Sequence, residues 1–311
     1  MSPAVSILIP AHNAAPWIDA TLESALAQSP PGGEIIVVDD GSTDGTLDRA
    51  RTFGARGVTI LTQPNRGAAA ARNAALRAAR GDWFQFLDAD DLLAPEKLAR
   101  QLARAGAEGP DFAYAARWSR FYASPADATF PPQRLCVDAD PVPWVVEKFA
   151  HNAMMHPAAW LISRTLAERA GPWDEALSLD DDGEYFTRVV LASRGVRTCQ
   201  DALSYYRSNL PGSLSSAKSE RAWASAWRSL ELSAARLQAA EDSPRTQHAC
   251  ATAFQRFIFE SYPRAAGCRR TAAGRVSQLG GSTLQPEGGR KFHFARRLFG
   301  WRLARRLTAG P

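Results

Sequence analysis

The sequence predicts an α/β protein built on an open, mostly parallel sheet flanked by helices, with a helical C-terminal region. Three observations lead to this prediction. Short apolar runs rich in β-branched residues alternate with helical patterns over residues 4–90, which is the order of elements in open α/β sheets. Polar and glycine residues follow each apolar run directly, where the strands of such a sheet end. Beyond Ser219 the apolar pattern becomes helical.

The first 90 residues contain four predicted strands and two predicted helices. The strands are Val5–Ile9, Glu34–Val38, Val58–Leu61 and Trp83–Leu87. Apolar residues recur at helical spacing over 17–26, with Pro16 in the first turn, and predict a crossover helix between the first two strands. An alanine-rich helix is expected over Gly67–Arg80, capped by Asn65 and stopped by Gly81.

The remaining chain alternates less regularly. Ala158–Ser163 predicts a further strand and Leu179–Arg188 the start of an acidic helix. Trp223, Trp227 and Leu230 follow helical spacing, and the glycine-rich stretch 280–289 is typical of a linker.

Composition excludes several classes of protein. With 311 residues, 45% hydrophobic and 22% charged, the chain is neither disordered nor of low complexity. No apolar run approaches the ~18 residues that span a bilayer. No basic segment precedes the first strand, so we expect no signal peptide. The four cysteines share no short spacing, which argues against a zinc site and a disulfide framework and favours a cytoplasmic protein.

Charge divides the chain into an acidic body and a basic tail. Residues 264–311 contain 11 Lys/Arg and one acid, whereas residues 1–263 contain 26 Lys/Arg and 31 acids. Within Arg290–Leu307, seven basic residues alternate with apolar ones, and on one helix Phe292, Phe299, Leu303 and Leu307 would share a side. This pattern predicts an interfacial helix on an anionic membrane surface. A solvated tail, or a helix packed on the body, remains the alternative, and no nucleic-acid motif accompanies the charge.

Three polar groups follow the predicted strands and converge on one edge of the sheet. They are His12-Asn13, Asp39-Asp40-Gly41-Ser42 and Asp88-Ala89-Asp90. The last group is a D-x-D, whose two carboxylates would repel each other at the end of a buried strand. Mg²⁺ or Mn²⁺ relieves such repulsion and commonly bridges one or two carboxylates to substrate phosphates. We interpret Asp39 as a turn cap and Asp40 as a polar contact to a ligand.

Five blocks of this sequence together resemble the family 2 glycosyltransferases, which have the GT-A fold. They are SILIPAHN, EIIVVDDGSTDGT, QPNRGAAAARNAAL, GDWFQFLDADDLL and GPWDEALSLDDDGEYFTR. The resemblance covers about residues 4–210. It implies a nucleotide-sugar binding half at 1–115, an acceptor-binding half at 116–215 and a helical C-terminal region at 216–311.

The resemblance also implies roles for individual residues on the donor side. Pro10, His12 and Asn13 match the first nucleotide-contacting block, and Asp40 the carboxylate that binds a pyrimidine N–H. Arg72 matches a basic residue directed at the diphosphate. Asp88 matches a residue near the ribose, and Asp90 the ligand of Mg²⁺ or Mn²⁺.

Asp182 matches the general base of the family. An Asp181-Asp182 pair stands six residues before Arg188, at a place where the family more often has a Glu-Asp pair. Because three aspartates run together over Asp180–Asp182, the general base could also be a neighbouring residue of this run. The chemistry is consistent with one base, because a diphosphate leaving group needs no protonation and the attacking hydroxyl must lose a proton. An acidic helix N-terminus stabilised by the helix dipole is the alternative explanation.

Several residues keep two interpretations. Asp181, Arg207 and His156 are candidate contacts to the diphosphate or the acceptor. A surface ion pair for Arg207 and a structural role for His156 are equally consistent with the sequence. Tyr205–Arg207, with Ser213–Ser216 beyond, resembles a loop that closes over the diphosphate. Trp144 and Trp173 could stack on sugars, but large aromatic residues more often belong to the core.

The sequence therefore predicts a metal-dependent, inverting glycosyltransferase. The expected donor is a UDP- or dTDP-linked sugar, and the expected acceptor is a carbohydrate or a lipid-linked glycan in cell-surface polysaccharide or glycolipid assembly. Two alternatives are a non-catalytic nucleotide-binding or membrane-anchored protein and a sugar-phosphate nucleotidyltransferase. The second alternative lacks support. A nucleotidyltransferase normally has a glycine-rich, basic loop directly after its first strand, whereas this sequence has PAHNAAPW there.

Overall fold

A computed structural model describes residues 4–28, 33–210 and 219–308. Its centre is an eight-stranded mixed sheet with the spatial order β3-β2-β1-β4-β7-β6-β8-β5. The strands are β1 Val5–Ala11, β2 Glu34–Asp40, β3 Val58–Gln63, β4 Trp83–Phe86, β5 Leu92–Leu93, β6 Ala113–Phe121, β7 Trp160–Ser163 and β8 Val196–Arg207. The α/β fold class predicted from the sequence is confirmed.

Helices cover the sheet and continue beyond it. Those of the sheet region are α1 Ile18–Leu26, α2 Thr46–Thr52, α3 Ala68–Ala78, α4 Lys97–Glu108, α5 Pro141–His151, α6 Arg164–Ala170 and α7 Asp181–Ala192. The C-terminal helices are α8 Glu220–Ala240, α9 Pro244–Glu260, α10 Ala266–Gln278 and α11 Arg290–Thr308.

The N-terminal half of the sheet is parallel, as predicted. β1 lies between β2 and β4, and β3 pairs with β2 on the outside. β1 and β4 are buried along their whole length, which explains their continuous apolar runs. The parallel strands bring the C-terminal ends of β1, β2 and β4 to the same edge.

The second half of the sheet is mixed, because β7 runs antiparallel to both β4 and β6. β6 and β8 are parallel, and β5 pairs antiparallel with the end of β8. The short strand β5 follows the D-x-D directly. This pairing therefore joins the D-x-D segment to Ser204 and Tyr205 of β8.

Two local predictions were wrong. Pro16 does not lie in the first turn of α1 but in a turn before it, and the helix begins at Ile18. Asn65 does not cap α3, whose N-cap is Gly67 with φ of 93°. A backbone angle of that sign suits glycine, and it leaves the Asn65 side chain available to contact His12.

The aromatic core lies between the sheet and α7. Trp173 stacks on Tyr185 with ring centroids 4.0 Å apart, and Trp160 stacks on Phe186 at 5.1 Å. Trp144 packs edge-on against Trp160. Both Trp144 and Trp173 are 2% exposed, so the interpretation of these two residues as core residues is confirmed.

The C-terminal helices pack on the same core. α8 lies against α7, and α9 lies against α5 and α10. Trp227 of α8 contacts Phe254 and Phe257 of α9, as the helical spacing of the tryptophans predicts. Ser243 begins α9 with a capping box completed by Thr246. None of the described helices is both long enough and apolar enough to cross a membrane.

The basic tail is not the single amphipathic helix that was predicted. Gly300 has φ of 74° and interrupts α11, so residues on its two sides do not share one helical face. Phe292 and Ala304 are buried, and Trp301 packs on Phe259 and Tyr262 of the body. Five apolar side chains of α11 stay exposed: Phe294, Leu298, Phe299, Leu303 and Leu307.

Candidate functional site

A cavity of about 650 Å³ opens at the edge where β1, β2 and β4 end. Loops and the first turn of α7 complete its walls. Its lining includes ten residues singled out from the sequence, which are Pro10, His12, Asn13, Asp40, Arg72, Asp88, Asp90, His156, Asp181 and Asp182. This volume lies within the range of about 300–1,000 Å³ that is usual for small-molecule sites. The convergence expected from parallel strands is therefore present.

One end of the cavity is formed by the residues after β1. The His12 ring lies 2.8 Å from the Asp40 carbonyl through Nδ1 and 3.1 Å from the Asn65 amide through Nε2. The side-chain Oδ1 of Asn13 accepts a hydrogen bond from the Thr43 backbone N–H at 2.8 Å. These bonds join the β1 loop to the β2 loop and hold the imidazole at the cavity wall.

Asp40 is 3% exposed, and its carboxylate already accepts three hydrogen bonds. They come from the Gln63 side chain at 2.7 Å and from the backbone N–H groups of Arg66 and Gly67 at 2.8 Å each. An ionised carboxylate has about four acceptor positions. One position therefore remains for a donor group of a ligand.

The turn after β2 depends on its glycine. Gly41 has φ of 69°, and a Cβ placed there would lie 2.8 Å from the Asn65 backbone nitrogen. Asp39 accepts a hydrogen bond from the Ser42 N–H at 3.2 Å, which agrees with its interpretation as a turn cap. The second carboxylate oxygen of Asp39 is buried, with no hydrogen-bond partner among the described residues.

Arg72 links the two sides of the cavity. Its guanidinium donates to Asp88 Oδ1 and to Asp181 Oδ2, both at 2.7 Å, and lies 4.5 Å above the ring of Trp173. The side chain is buried, and the two carboxylates raise the pKa of Arg72 although burial opposes this. The sequence assigned this arginine to the diphosphate, whereas its fixed contacts are with the two aspartates.

The three consecutive aspartates have different partners. Asp180, with φ of 62°, precedes α7 and accepts a hydrogen bond from Ser229 of α8 at 2.7 Å. Asp181 pairs with Arg72. Asp182 accepts a hydrogen bond from the Gly183 N–H at 2.9 Å and has no ion-pair partner among the described residues. Of the three, Asp182 has the carboxylate best able to accept a proton from a ligand.

Burial and neighbouring carboxylates raise the pKa of one aspartate on each side of the cavity. Burial, together with the charges of Asp91 and Asp88, raises the pKa of Asp90 to about 8. Burial and the charges of Asp181 and Asp180 raise the pKa of Asp182 to about 7. Perturbed carboxylates gathered in one cleft are typical of functional sites.

The D-x-D offers oxygen ligands but not a complete metal cage. Asp88 and Asp90 both line the cavity, and one carboxylate oxygen of Asp88 is bound to Arg72. No three His, Cys, Asp or Glu residues within 4–28, 33–210 and 219–308 form a metal-binding group. Mg²⁺ commonly takes one or two carboxylates and completes its coordination with water and substrate phosphates. The uncompensated acidic charge at Asp90 fits a cation of this kind.

His156 forms a buried chain of hydrogen bonds behind the D-x-D. Its Nδ1 lies 2.9 Å from Asp91 Oδ2 and its Nε2 lies 2.8 Å from Ser204 Oγ. Burial lowers the pKa of His156 to about 3, so the ring is neutral and can donate through one nitrogen and accept through the other. Both nitrogens are thus engaged within the protein, which favours the structural interpretation over an acceptor contact.

Arg207 contacts the D-x-D segment through its backbone and its side chain. Its N–H donates to Asp91 Oδ1 and its Nε–H to the Asp90 carbonyl, both at 2.9 Å. Neither bond is a surface ion pair, and the contact of Arg207 with the diphosphate or the acceptor stays a prediction. Ser213–Ser216, which the resemblance placed in a closing loop, lie outside the described residues.

The sequence did not draw attention to three residues of this region. Asp91 and Ser204 complete the chain of hydrogen bonds at His156. Lys148 of α5 donates to the Gly183 carbonyl at 2.6 Å and so holds the first turn of α7. Asp91 could have been noticed as a further acid directly after the D-x-D. The other two carry no sequence signal, since their partners are distant in the chain.

Sequence comparisons agree with this architecture. The family model described as glycosyl transferase family 2 matches residues 6–137. The uncharacterized glycosyltransferase EpsJ of Bacillus subtilis is 31% identical over 225 residues, which are 69% of this chain and 63% of EpsJ. The Escherichia coli protein WfaP, named a UDP-Glc:alpha-D-GlcNAc-diphosphoundecaprenol beta-1,3-glucosyltransferase, is 41% identical over 111 residues, 35% of this chain and 44% of WfaP. The chain thus spans less than two thirds of either relative.

Solved structures share the fold. TarS 1–349 of S. aureus in complex with UDP-GlcNAc superimposes with a TM-score of 0.67 at 18% identity, covering 97% of this chain and 90% of that one. The mannosyltransferase PcManGT of Pyrobaculum calidifontis, in complex with GDP-Man and Mn²⁺, gives a TM-score of 0.57 at 21% identity, covering 99% of this chain and 84% of that one. Fold, family model and curated relatives agree, and the chain belongs to the family 2 glycosyltransferases, with the GT-A fold.

Proposed function

We propose that this protein is a metal-dependent, inverting transferase that moves a sugar from a UDP- or dTDP-linked donor to an acceptor hydroxyl. One observation carries the proposal. Arg72 pairs with Asp88 and with Asp181, which precedes Asp182, so the D-x-D and the proposed base lie on two sides of one cavity. A donor held at the D-x-D would have its anomeric carbon near Asp182.

Asp182 is the proposed general base. A pKa near 7 suits a base that works at neutral pH, and burial with neighbouring acids raises the pKa of Asp182 to about 7. Asp88 and Asp181 are paired with Arg72, and Asp180 is bound to Ser229. Direct attack by an acceptor hydroxyl that gives its proton to Asp182 inverts the anomeric carbon. No second carboxylate is needed as a nucleophile, as retention would require.

Pro10, His12, Asn13 and Asp40 are the proposed nucleoside contacts. The remaining acceptor position of Asp40 suits the ring N–H of uracil or thymine, and an adenine ring has no such donor within its ring. The UDP-GlcNAc complex of TarS and the UDP-Glc in the name of WfaP support a uridine nucleotide. UDP is therefore the first candidate and dTDP the second.

Asp90 is the proposed protein ligand of Mg²⁺ or Mn²⁺, with Asp88 near the ribose. Such an ion supplies charge that neutralises the departing diphosphate. The Mn²⁺ in the PcManGT complex supports a divalent ion on this fold. Burial, together with the charges of Asp91 and Asp88, raises the pKa of Asp90 to about 8, and a bound cation would relieve the repulsion between these carboxylates.

The acceptor is proposed to be a carbohydrate or a lipid-linked glycan of bacterial-type surface polysaccharide or glycolipid assembly. The names of WfaP and of TuaG, a putative teichuronic acid biosynthesis glycosyltransferase of Bacillus subtilis, support this class. We assign residues 1–115 to the donor, residues 116–215 to the acceptor and residues 216–311 to the helical C-terminal region.

The tail at 290–311 is proposed to contact an anionic membrane surface from the cytoplasmic side. Trp301 and Phe292 fix α11 to the body. The exposed side chains of α11 then combine five large apolar residues with basic ones and no acid. Apolar residues next to clustered Lys/Arg are typical of helices that lie on anionic lipid.

Calorimetric titration tests the donor site. UDP, dTDP, GDP and CDP are each added to the protein with and without Mn²⁺. We expect UDP or dTDP to bind at least ten-fold more tightly with the ion than without it, and Asp90→Ala to remove that difference. Glu96→Ala, an exposed acid at the start of α4, is the control. Binding of no nucleotide, or equal binding with and without Mn²⁺ for every nucleotide, would refute the proposal.

A further inference from the structure

A second cavity of about 460 Å³ lies beside the end of β6. Its walls are Trp118–Ala123 on one side and residues of the segment 127–133 on the other. Ser119 and Arg117 of β6 hold that segment in place by donating hydrogen bonds to the carbonyls of Thr129 and Phe130. The cavity is thus built by defined contacts rather than by a single surface loop.

The second cavity adjoins the first through two arginines. Arg207 donates to the Asp90 carbonyl at 2.9 Å and lies 4.4 Å above the ring of Phe121, which lines the second cavity. Arg120 lies 5.0 Å from the ring of Tyr206 and 3.2 Å from the sulfur of Met154. Tyr206 and Met154 both line the first cavity. Arg120 of the second cavity is therefore in direct contact with two lining residues of the first.

The lining of the second cavity combines aromatic rings with polar groups. Tyr122 is 59% exposed, and Met154 on the path between the cavities is 39% exposed. Among the described residues outside α11, Val137 is the one other large hydrophobic residue that is exposed. Exposed large apolar side chains gathered at a concave surface are typical of binding sites. Asp127, Thr129 and Gln133 add hydrogen-bonding groups.

Saccharides fit this combination. A pyranose ring presents C–H groups on its faces, which pack against aromatic rings, and hydroxyls around its edge, which need donors and acceptors. Tyr122 provides an exposed ring, whereas Asp127 and Gln133 provide polar atoms. A lipid tail would leave the polar atoms without partners.

We propose that this second cavity is an acceptor subsite, which binds the sugar units of an oligosaccharide acceptor beyond the unit that receives the transferred sugar. This inference rests on the proposed transferase function, in which the first cavity binds the sugar donor and contains the base. The subsite sets which glycans are accepted. It binds saccharide without nucleotide or metal.

A microarray of oligosaccharides from bacterial surface polysaccharides, probed with the labelled full chain, tests the subsite. Tyr122→Ala removes an exposed ring, and Asp127→Ala removes an exposed carboxylate, so neither should disturb the core. Val137→Ala changes an exposed apolar residue outside the cavity and serves as the matched control. UDP binding with Mn²⁺ is measured in parallel on every variant.

We expect the wild type to retain at least one glycan family and to bind longer members more tightly than monosaccharides. Tyr122→Ala and Asp127→Ala should each weaken that binding at least ten-fold, Tyr122→Phe should restore most of it, and Val137→Ala should change nothing. UDP binding should be equal in all. Retention of no glycan by the wild type, or wild-type glycan affinity in both alanine variants, would overturn the subsite. If the wild type binds glycans but does not bind UDP, the donor proposal is refuted and the subsite stands.

Discussion

The guanidinium of Arg72 lies 2.7 Å from the carboxylate of Asp181, although 109 residues separate them in the chain. The same guanidinium binds Asp88 at 2.7 Å. Helix α3 therefore joins the D-x-D to the first turn of α7 through one buried side chain. The distance between the donor side and Asp182 depends on this link.

Replacing Arg72 by Ala should cost both stability and activity. Removing one partner of a buried ion pair leaves uncompensated charge and typically costs about 3–5 kcal/mol. We expect the free energy of unfolding to fall by about that amount in urea titrations, and donor binding to weaken. Arg100→Ala is the control, because its ion pair with Glu96 is exposed and such pairs contribute about 0–1 kcal/mol. Equal unfolding midpoints for the two variants would contradict the role of the buried link.

The transfer rate should rise with pH through about 7. Burial raises the pKa of Asp182 to about 7, and a general base acts only in its deprotonated form. We therefore expect kcat/KM to fall about ten-fold for each pH unit below this value. The measurement is the pH profile of kcat/KM with saturating Mn²⁺. A rate that stays constant between pH 5 and 8 would mean that Asp182 titrates elsewhere or is not the base.

Replacing His156 by Ala should destabilise the segment behind the D-x-D. Asp91 and Ser204 would each lose a hydrogen bond while still buried, and a buried polar group without a partner costs about 1–3 kcal/mol. We expect a lower free energy of unfolding together with weaker Mn²⁺-dependent nucleotide binding. His151→Ala, at an exposed position near the end of α5, should change neither. Unchanged unfolding of His156→Ala would show that this chain of hydrogen bonds contributes nothing.

Removing exposed apolar side chains from α11 should weaken binding to anionic vesicles. Phe294 and Leu298 are 70% and 58% exposed, so Phe294→Ser with Leu298→Ser should leave the fold intact. We expect reduced cosedimentation with phosphatidylglycerol vesicles and, for the wild type, a decrease at high salt because charge attraction is screened. Val137→Ser and phosphatidylcholine vesicles are the controls. Equal sedimentation of the double variant and the wild type would contradict the membrane proposal.

The sequence predicted the parallel half of the sheet and the meeting of its strand ends. Both follow from local patterns, since buried parallel strands read as apolar runs and their C-terminal ends share an edge. Asp40 and Asp90 were found in this way. Contacts between residues that are distant in the chain could not be predicted in this way, because a single sequence does not show which residues are close in space. One such contact is the pairing of Arg72 with Asp181. The diphosphate role that the resemblance implies for Arg72 stays a prediction.

Local backbone geometry accounts for the other differences. Gly67 begins α3 with a positive φ, so Asn65 contacts His12 instead of capping the helix. Gly300 interrupts α11, so Leu303 and Leu307 do not continue the helical face on which Phe292 and Phe299 lie. A helical wheel assumes regular geometry across the whole segment. It cannot show where a glycine changes the direction of the chain.

The central claim is that Asp182 takes a proton during an inverting sugar transfer. NMR of UDP- and dTDP-sugars, incubated with the protein and Mn²⁺, follows the slow release of sugar to water and the anomer that forms first. From an α-linked donor we expect the β anomer first in the wild type. Asp182→Asn should slow release about 10²–10⁴-fold with unchanged UDP affinity, and Asp242→Asn, at an exposed site, should match the wild type. Release of the α anomer first, or equal rates in wild type and Asp182→Asn, would contradict the account.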